Sequence, residues 1–285
     1  MTNRTYRILL DCPDRIGIVT RIGEVITNNG GWINEAAHHS DEENEWFFSR
    51  FEIKADTLPF GLDELAQKFA ALREEYNMNL QVLDTDKPKR VVIMASKGSH
   101  CLSDLLDRWK SGDLLCDIPC VISNHEDMRS LVEWYGIPYF CVPINPENKQ
   151  VGFDEVERLV LDHQADCVVL ARYMQILPQA LCEKLRHKVI NIHHSFLPSF
   201  IGAKPYHQAS RRGVKLIGAT CHYVTEQLDE GPIIDQDVVR VSHSDKVEDL
   251  VRRGKDVEKN VLARGLRAHL EDRVLVHGNK TVVFN

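Results

Sequence analysis

The eight cysteines of this 285-residue chain include no C-x-x-C pair. Cys116 and Cys120 lie close to each other, but no histidine set completes a zinc-ligand spacing around them. A structural metal is therefore not expected, and the thiols read as reduced, mostly buried core residues of a cytoplasmic protein. The chain also lacks any apolar run near the ~20 residues that a membrane-spanning helix needs. Its N-terminal stretch, MTNRTYRILLDCPDR, has no signal-peptide core. A basic excess is missing too, since the net charge is -7, which removes nonspecific nucleic-acid binding from consideration. Neither a G-x-G-x-x-G nor a P-loop lysine motif occurs in SKGSHC at residues 96–101, so that segment reads as a tight strand-to-helix turn.

What is present falls into two patterns. The first 85 residues read strand, helix, strand, strand, helix, strand. YRILLDC is an apolar strand. Ile16, Val19, Ile22 and Ile26 recur at helical spacing from Arg15 onward, and NNGG stops that helix. WINEAAHHSD and EWFFSRFEIKA read as a hairpin, Leu62, Leu65, Phe69, Leu72 and Tyr76 share one helix face, and MNLQVLD closes the unit. This βαββαβ order is the ferredoxin-like plan. Residues 86–90 form a polar, proline-bearing linker.

From residue 91 to 285 the pattern changes. RVVIMAS, IPCVISN, IPYFCVP, DCVVLAR and KVINIH are short, nearly continuous apolar runs separated by amphipathic segments. Such runs predict a mostly parallel, Rossmann-like α/β sheet covered on both faces. Sheets of this kind place ligands beyond the carboxyl ends of their strands. KLIGATCHYVTE and GPIIDQDVVRV read as an antiparallel pair, followed by a helix over 245–269 and a hairpin turning at HGN.

Asn191 and His193 lie two apart at the end of KVINIH, so their side chains share a face. An amide suits a developing oxyanion and an imidazole suits proton transfer. Adjacent strand residues alternate faces, so the rings of His193 and His194 are expected to diverge, as are those of His38 and His39. HYVTEQLDEGPII offers Glu226, Asp229 and Glu230, and spacing alone leaves both a solvated acidic turn and a catalytic carboxylate open.

NIHHSFLPSFIGAKPYHQA together with GATCHYVTEQLDEGPII resembles the active-site pair of the formyltransferase family that uses 10-formyltetrahydrofolate. The resemblance implies that Asn191, His193 and Asp229 are its catalytic amide, imidazole and carboxylate, with His222 and Thr225 in support. ARYMQILP at residues 171–178 is similar to the segment lining the pterin pocket, which implies folate contacts from Met174, Ile176 and Leu177. LLDCPDRIGIVTRIGEVI resembles an ACT domain, and an ACT domain joined to this catalytic unit is similar to the deformylase branch of the family. That branch implies hydrolysis of 10-formyltetrahydrofolate to formate and tetrahydrofolate, with a role in balancing one-carbon folate pools and in purine synthesis. The folate is substrate, and no cofactor or metal is implied. It further implies a homo-oligomer, dimer or tetramer, and an amino-acid effector such as glycine or methionine near Asp14, Arg15, Gly17 and Asn34. Two departures from the transformylase pattern are His194, where proline is usual, and Gly98-Ser99-His100 in place of a Gly-Ser-Asn phosphate loop. His194 and Phe196 are expected to narrow the acceptor side, and Asp229 is expected to have a raised pKa. The rival readings are formyl transfer to an amine and a noncatalytic folate or amino-acid sensor.

Overall fold

A computed structural model describes residues 4–199 and 205–285. The chain divides into two compact units. The first comprises Met1–Pro88, Asp272–His277 and Val282–Asn285, and the second comprises Lys89–Glu271 and Gly278–Thr281.

In the first unit, β1 (Thr5–Pro13), α1 (Ile18–Asn28), β2 (Trp32–Asp41), β3 (Trp46–Lys54), α2 (Leu62–Lys68), α3 (Ala70–Tyr76) and β4 (Asn79–Asp84) follow in order. The sheet order is β2-β3-β1-β4, with every pairing antiparallel. The second helix of the expected plan is split at Phe69 into α2 and α3, but Leu65, Phe69, Leu72 and Tyr76 remain buried together. The first helix begins later than its spacing suggested. Gly17 takes a left-handed φ of 91°, α1 starts at Ile18, and Ile16 is fully exposed. Ile18, Ile22 and Ile26 form the buried stripe, and Val19 stays outside it. Replacing the wholly buried Ile22 with alanine is expected to destabilise this unit by about 2–5 kcal/mol. Denaturant unfolding reads that loss, and a cost well below this range would mean that the neighbouring helices collapse into the gap.

The other face of this sheet is covered from the far end of the sequence. Leu9 and Phe48 pack with Leu275 and Phe284 in one buried cluster. Leu275 lies in β12 (Val274–His277), and Phe284 directly follows β13 (Lys280–Val283), with which β12 pairs. The division at residues 85–91 thus omitted a C-terminal contribution to the first unit, which hydropathy along the chain does not reveal.

The second unit contains β5 (Val91–Ala95), α4 (His100–Lys110), β6 (Val121–Ser123), α5 (Arg129–Trp134), β7 (Tyr139–Cys141), α6 (Lys149–Asp162) and β8 (Cys167–Ala171). It continues through α7 (Gln179–Lys184), β9 (Val189–His193), α8 (Pro205–Arg212), β10 (Leu216–Tyr223), β11 (Ile233–Arg240) and α9 (Val247–Leu270). The sheet order is β11-β10-β9-β8-β5-β6-β7. Strands β5 to β9 run parallel, while β10 and β11 are antiparallel additions. All residues of β5 and β8 are buried, as continuous apolar strands between two helical layers require. The chain leaves β5 towards β6 and β7, then returns to β8 on the other side. That reversal opens a crevice at the carboxyl ends of β5 and β8. All eight cysteines are free, and no helix among the described residues is long and apolar enough to cross a membrane.

Candidate active site

The carboxyl ends of β8 and β9 open into a cavity of about 620 Å³, within the usual size of a small-molecule site. Val189, Ile190 and Ile192 hold β9 in the sheet, while Asn191 and His193 line the cavity. Strand β10 pairs with β9 so that His222 stands opposite Asn191. Opposed residues on neighbouring strands share a face, which places His222 Nε2 3.2 Å from Asn191 Nδ2. The Nδ1 of His222 lies 2.9 Å from the Tyr223 carbonyl, which only accepts, so Nδ1 carries the proton. Burial lowers the His222 pKa and keeps the ring neutral. Its bare Nε2 therefore accepts one amide hydrogen of Asn191, leaving the second for an oxygen in the cavity.

The loop after β10 delivers Asp229, whose φ is 57°. Its Oδ2 lies 3.1 Å from His193 Nδ1, and its Oδ1 lies 3.8 Å from His222 Nε2. His193 Nε2 is buried and has no hydrogen-bond partner among the described residues. Burial pushes the Asp229 pKa up, but the His193 hydrogen bond and the nearby imidazoles outweigh it, and the carboxyl stays below its ordinary value. The expected rise towards neutrality is thus corrected, because an imidazole hydrogen bond favours the ionised form. Gly231 ends this loop where an added Cβ would meet the Tyr223 carbonyl oxygen. Gly231→Ala is expected to shift Asp229, two residues away, and to lower kcat up to ~100-fold, the cost of a misplacement near 1 Å. Steady-state assays check this, and unchanged kcat would show that the loop absorbs the methyl group.

The His193 and His194 rings do not diverge. Their centroids are 5.3 Å apart and both line the cavity, because β9 ends at His193 and alternation stops there. Burial, with Arg172 nearby, lowers the His194 pKa to about 4. Phe196 is absent from the cavity wall; it packs over Gly218 of β10. Residues 200–204 of the motif lie outside the described residues.

On the apolar side stand Leu170, Met174, Ile176, Leu177 and Leu228. Met174 and Ile176 are exposed there, an uncommon position for large apolar side chains unless a ligand covers them. Ser96, at the end of β5, accepts a hydrogen bond from Met174 N and donates one to Asn124, which ties this segment to the sheet. Thr225 also lines the cavity, its hydroxyl bonded to the Gln227 carbonyl. All eight expected catalytic and folate-contacting residues therefore line one cavity.

A second polar group in the same cavity was not expected. Glu258 of α9, 1% exposed, accepts hydrogen bonds from His100 (2.8 Å) and Tyr206 (2.6 Å), and Arg172 lies 3.4 Å away. Together these hold its carboxyl ionised against burial. Arg172 lies within ARYMQILP and Glu258 within α9, but nothing in the sequence spacing joins them. His100, Cys101 and Glu258 also present ligand atoms within 4.8 Å of one another. That carboxylate is already engaged, and the adjacent guanidinium opposes a cation.

In the first unit, Asp14, Arg15 and Gly17 lie at the start of α1, while Asn34 lies at a register shift between Ile33 and Glu35. Through β3, Asn34 falls level with Tyr6 and Arg7, about seven strand residues or ~23 Å from Asp14. One copy of the chain does not gather these four residues into one site. His38 bonds to Ser49 and contacts Phe47 and Phe51, and His39 stacks on Phe48.

Residues 89–266 match the formyl transferase family. A formyltetrahydrofolate deformylase from Synechocystis sp. is 48% identical over 100% of both chains. The crystal structure of a formyltetrahydrofolate deformylase from Pseudomonas syringae pv. tomato is 64% identical, with a TM-score of 0.98 over 100% of this chain and 96% of that one. The chain belongs to the formyltetrahydrofolate deformylase family. A related fold matches only part of this chain. A phosphoribosylglycinamide formyltransferase from Anaplasma phagocytophilum, 32% identical with a TM-score of 0.64, covers 70% of this chain while matching 96% of its own.

Proposed function

We propose that the chain hydrolyses 10-formyltetrahydrofolate to formate and tetrahydrofolate through Asn191, His193 and Asp229. The observation that carries this reading is the His193–Asp229 pair facing an apolar wall across one cavity. The pterin covers Met174, Ile176 and Leu177, and the formyl group lies towards Asn191 and His193. Ionised Asp229 holds His193 by Nδ1–H, which leaves Nε2 to take a proton from the attacking water. Hydroxyl oxygen bonds to the formyl carbon, and the carbonyl oxygen, now an oxyanion, accepts the free Asn191 N–H. His193 then passes its proton to N10, the C–N bond breaks, and formate and tetrahydrofolate leave. Acid–base help of this kind contributes about 10²–10⁴ in rate, and one oxyanion donor contributes about 10²–10³. Asp229 orients the imidazole and balances its charge, rather than acting as a base of raised pKa.

The formyl group is already activated on folate, so the reaction calls for no cofactor or metal. The proposed setting is the cytoplasm, where the reaction would balance one-carbon folate pools and supply formate for purine synthesis. The ACT-like unit is proposed to pair copies of the chain into a dimer or tetramer. It would bind an amino acid such as glycine or methionine, with Asp14, Arg15 and Gly17 on one side. Asn34 would have to come from another copy.

Purified protein mixed with 10-formyltetrahydrofolate, with no amine present, tests the reading. Formate and tetrahydrofolate are expected in equal amounts. Bound folate without formate release would overturn it in favour of transfer to an amine or of sensing.

A further inference from the structure

Arg172 is poorly explained as a partner for Glu258 alone. The Glu258 oxygens are already used, Oε2 by His100 and Oε1 by Tyr206. Arg172 Nε approaches at 3.4 Å and makes no hydrogen bond there. Its two Nη groups have no partner among the described residues, although the side chain is only 18% exposed. Its backbone holds a left-handed φ of 62°, uncommon for a residue other than glycine, and outliers of this kind cluster at ligand sites. The residue lines the same cavity as Asn191, His193 and Asp229. A planar cation with an empty fork matches the two oxygens of a carboxylate.

We propose that Arg172 forms a subsite for a small carboxylate anion, and that its occupant is the formate released by hydrolysis. This inference rests on the function proposed above. His194 connects the two regions, with its ring 5.3 Å from His193 and 5.9 Å from Tyr206 between centroids. Lys255 adds a second positive charge to the cavity wall, while Glu258, Asp229 and Glu226 oppose an anion. The balance gives weak binding, as a product that must leave requires.

The full chain is titrated with ¹³C-formate, and line broadening gives its affinity without turnover. Formate is tested separately as an inhibitor of hydrolysis. Arg172→Gln is expected to weaken formate binding about tenfold, the scale of one charge-assisted hydrogen bond. Arg172→Lys should recover part of it, and Glu258→Gln should tighten it severalfold by removing the competing charge. Thermal melts identify variants that fold. Unchanged formate binding in Arg172→Gln would overturn the subsite, as would loss of binding in His193→Ala but not in Arg172→Gln. Failure of the wild type to release formate from the folate would sink the hydrolytic reading instead, and the titration would still decide whether the anion binds at Arg172.

Discussion

Asp229→Asn is expected to lower kcat about 10³–10⁴-fold, the scale on which loss of an orienting carboxylate acts when it fixes the imidazole tautomer. The substitution keeps the shape of the loop and removes the charge that holds His193 Nδ1 at 3.1 Å. An amide can offer its nitrogen to that imidazole, which would turn the ring's proton towards Nε2 and leave no base for water. Folate affinity should change little, because the pterin is proposed to rest on Met174, Ile176 and Leu177 rather than on this carboxylate. Single-turnover formate release measures the effect, and a rate within tenfold of wild type would remove Asp229 from the mechanism. The pKa direction adds a second expectation. The native carboxyl titrates below its ordinary value, so Asp229 stays ionised across neutral and mildly acid pH. An acid limb near neutrality in the rate profile would have to come from another group.

The second large effect concerns stability in mild acid. Burial lowers the pKa of His194 from 6.5 to about 4, that of His269 to about 3, and that of His222 in the same direction. Each of these rings is neutral in the native state and takes a proton more readily once the chain unfolds. Between the native and unfolded values the unfolded state binds more protons, so native stability falls as pH drops. The contribution is complete above pH 6.5 and is lost progressively down to the native pKa. For His194 alone, displacement from 6.5 to about 4 amounts to about 3 kcal/mol. Glu258 and Asp229 have lowered pKa values and act further down. Their stabilisation is present above the ordinary carboxylate range and fades as pH falls through the native values. Denaturant midpoints measured from pH 7 to pH 4 should therefore decline throughout. A flat profile over this interval would show that these imidazoles are solvated.

Much of the architecture was legible because strand chemistry is local. Continuous runs such as VVIMA and CVVLA need cover on both faces, and that need alone predicts a parallel sheet with helices around it. The shared face of Asn191 and His193 was legible too, since both obey the two-residue period and both line the cavity. The rest depended on register and on distant closure. Nothing local places His222 opposite Asn191; the pairing of β9 with β10 does. His100 and Glu258 meet across 158 positions of sequence. Alternation misled for His194 because it stands one residue beyond its strand. The Asp229 pKa was misjudged because burial is apparent from sequence, whereas the imidazoles that outweigh it are not. Helical spacing placed Ile16 in the core one turn too early, where Gly17 still holds the chain in a left-handed turn.

The cluster joining Leu9 and Phe48 to Leu275 and Phe284 also bears on how the chain is made. Synthesis proceeds from the N-terminus, and domains generally fold as they emerge. The strands of the first unit leave the ribosome early, yet one face of their sheet waits for residues 272–285, which are translated after the whole of α9. Until then Leu9 and Phe48 lack their cover, so nascent protein stalled before residue 272 is expected to engage chaperones and to be prone to aggregation. A C-terminal truncation that spares every catalytic residue would make that vulnerable interval permanent.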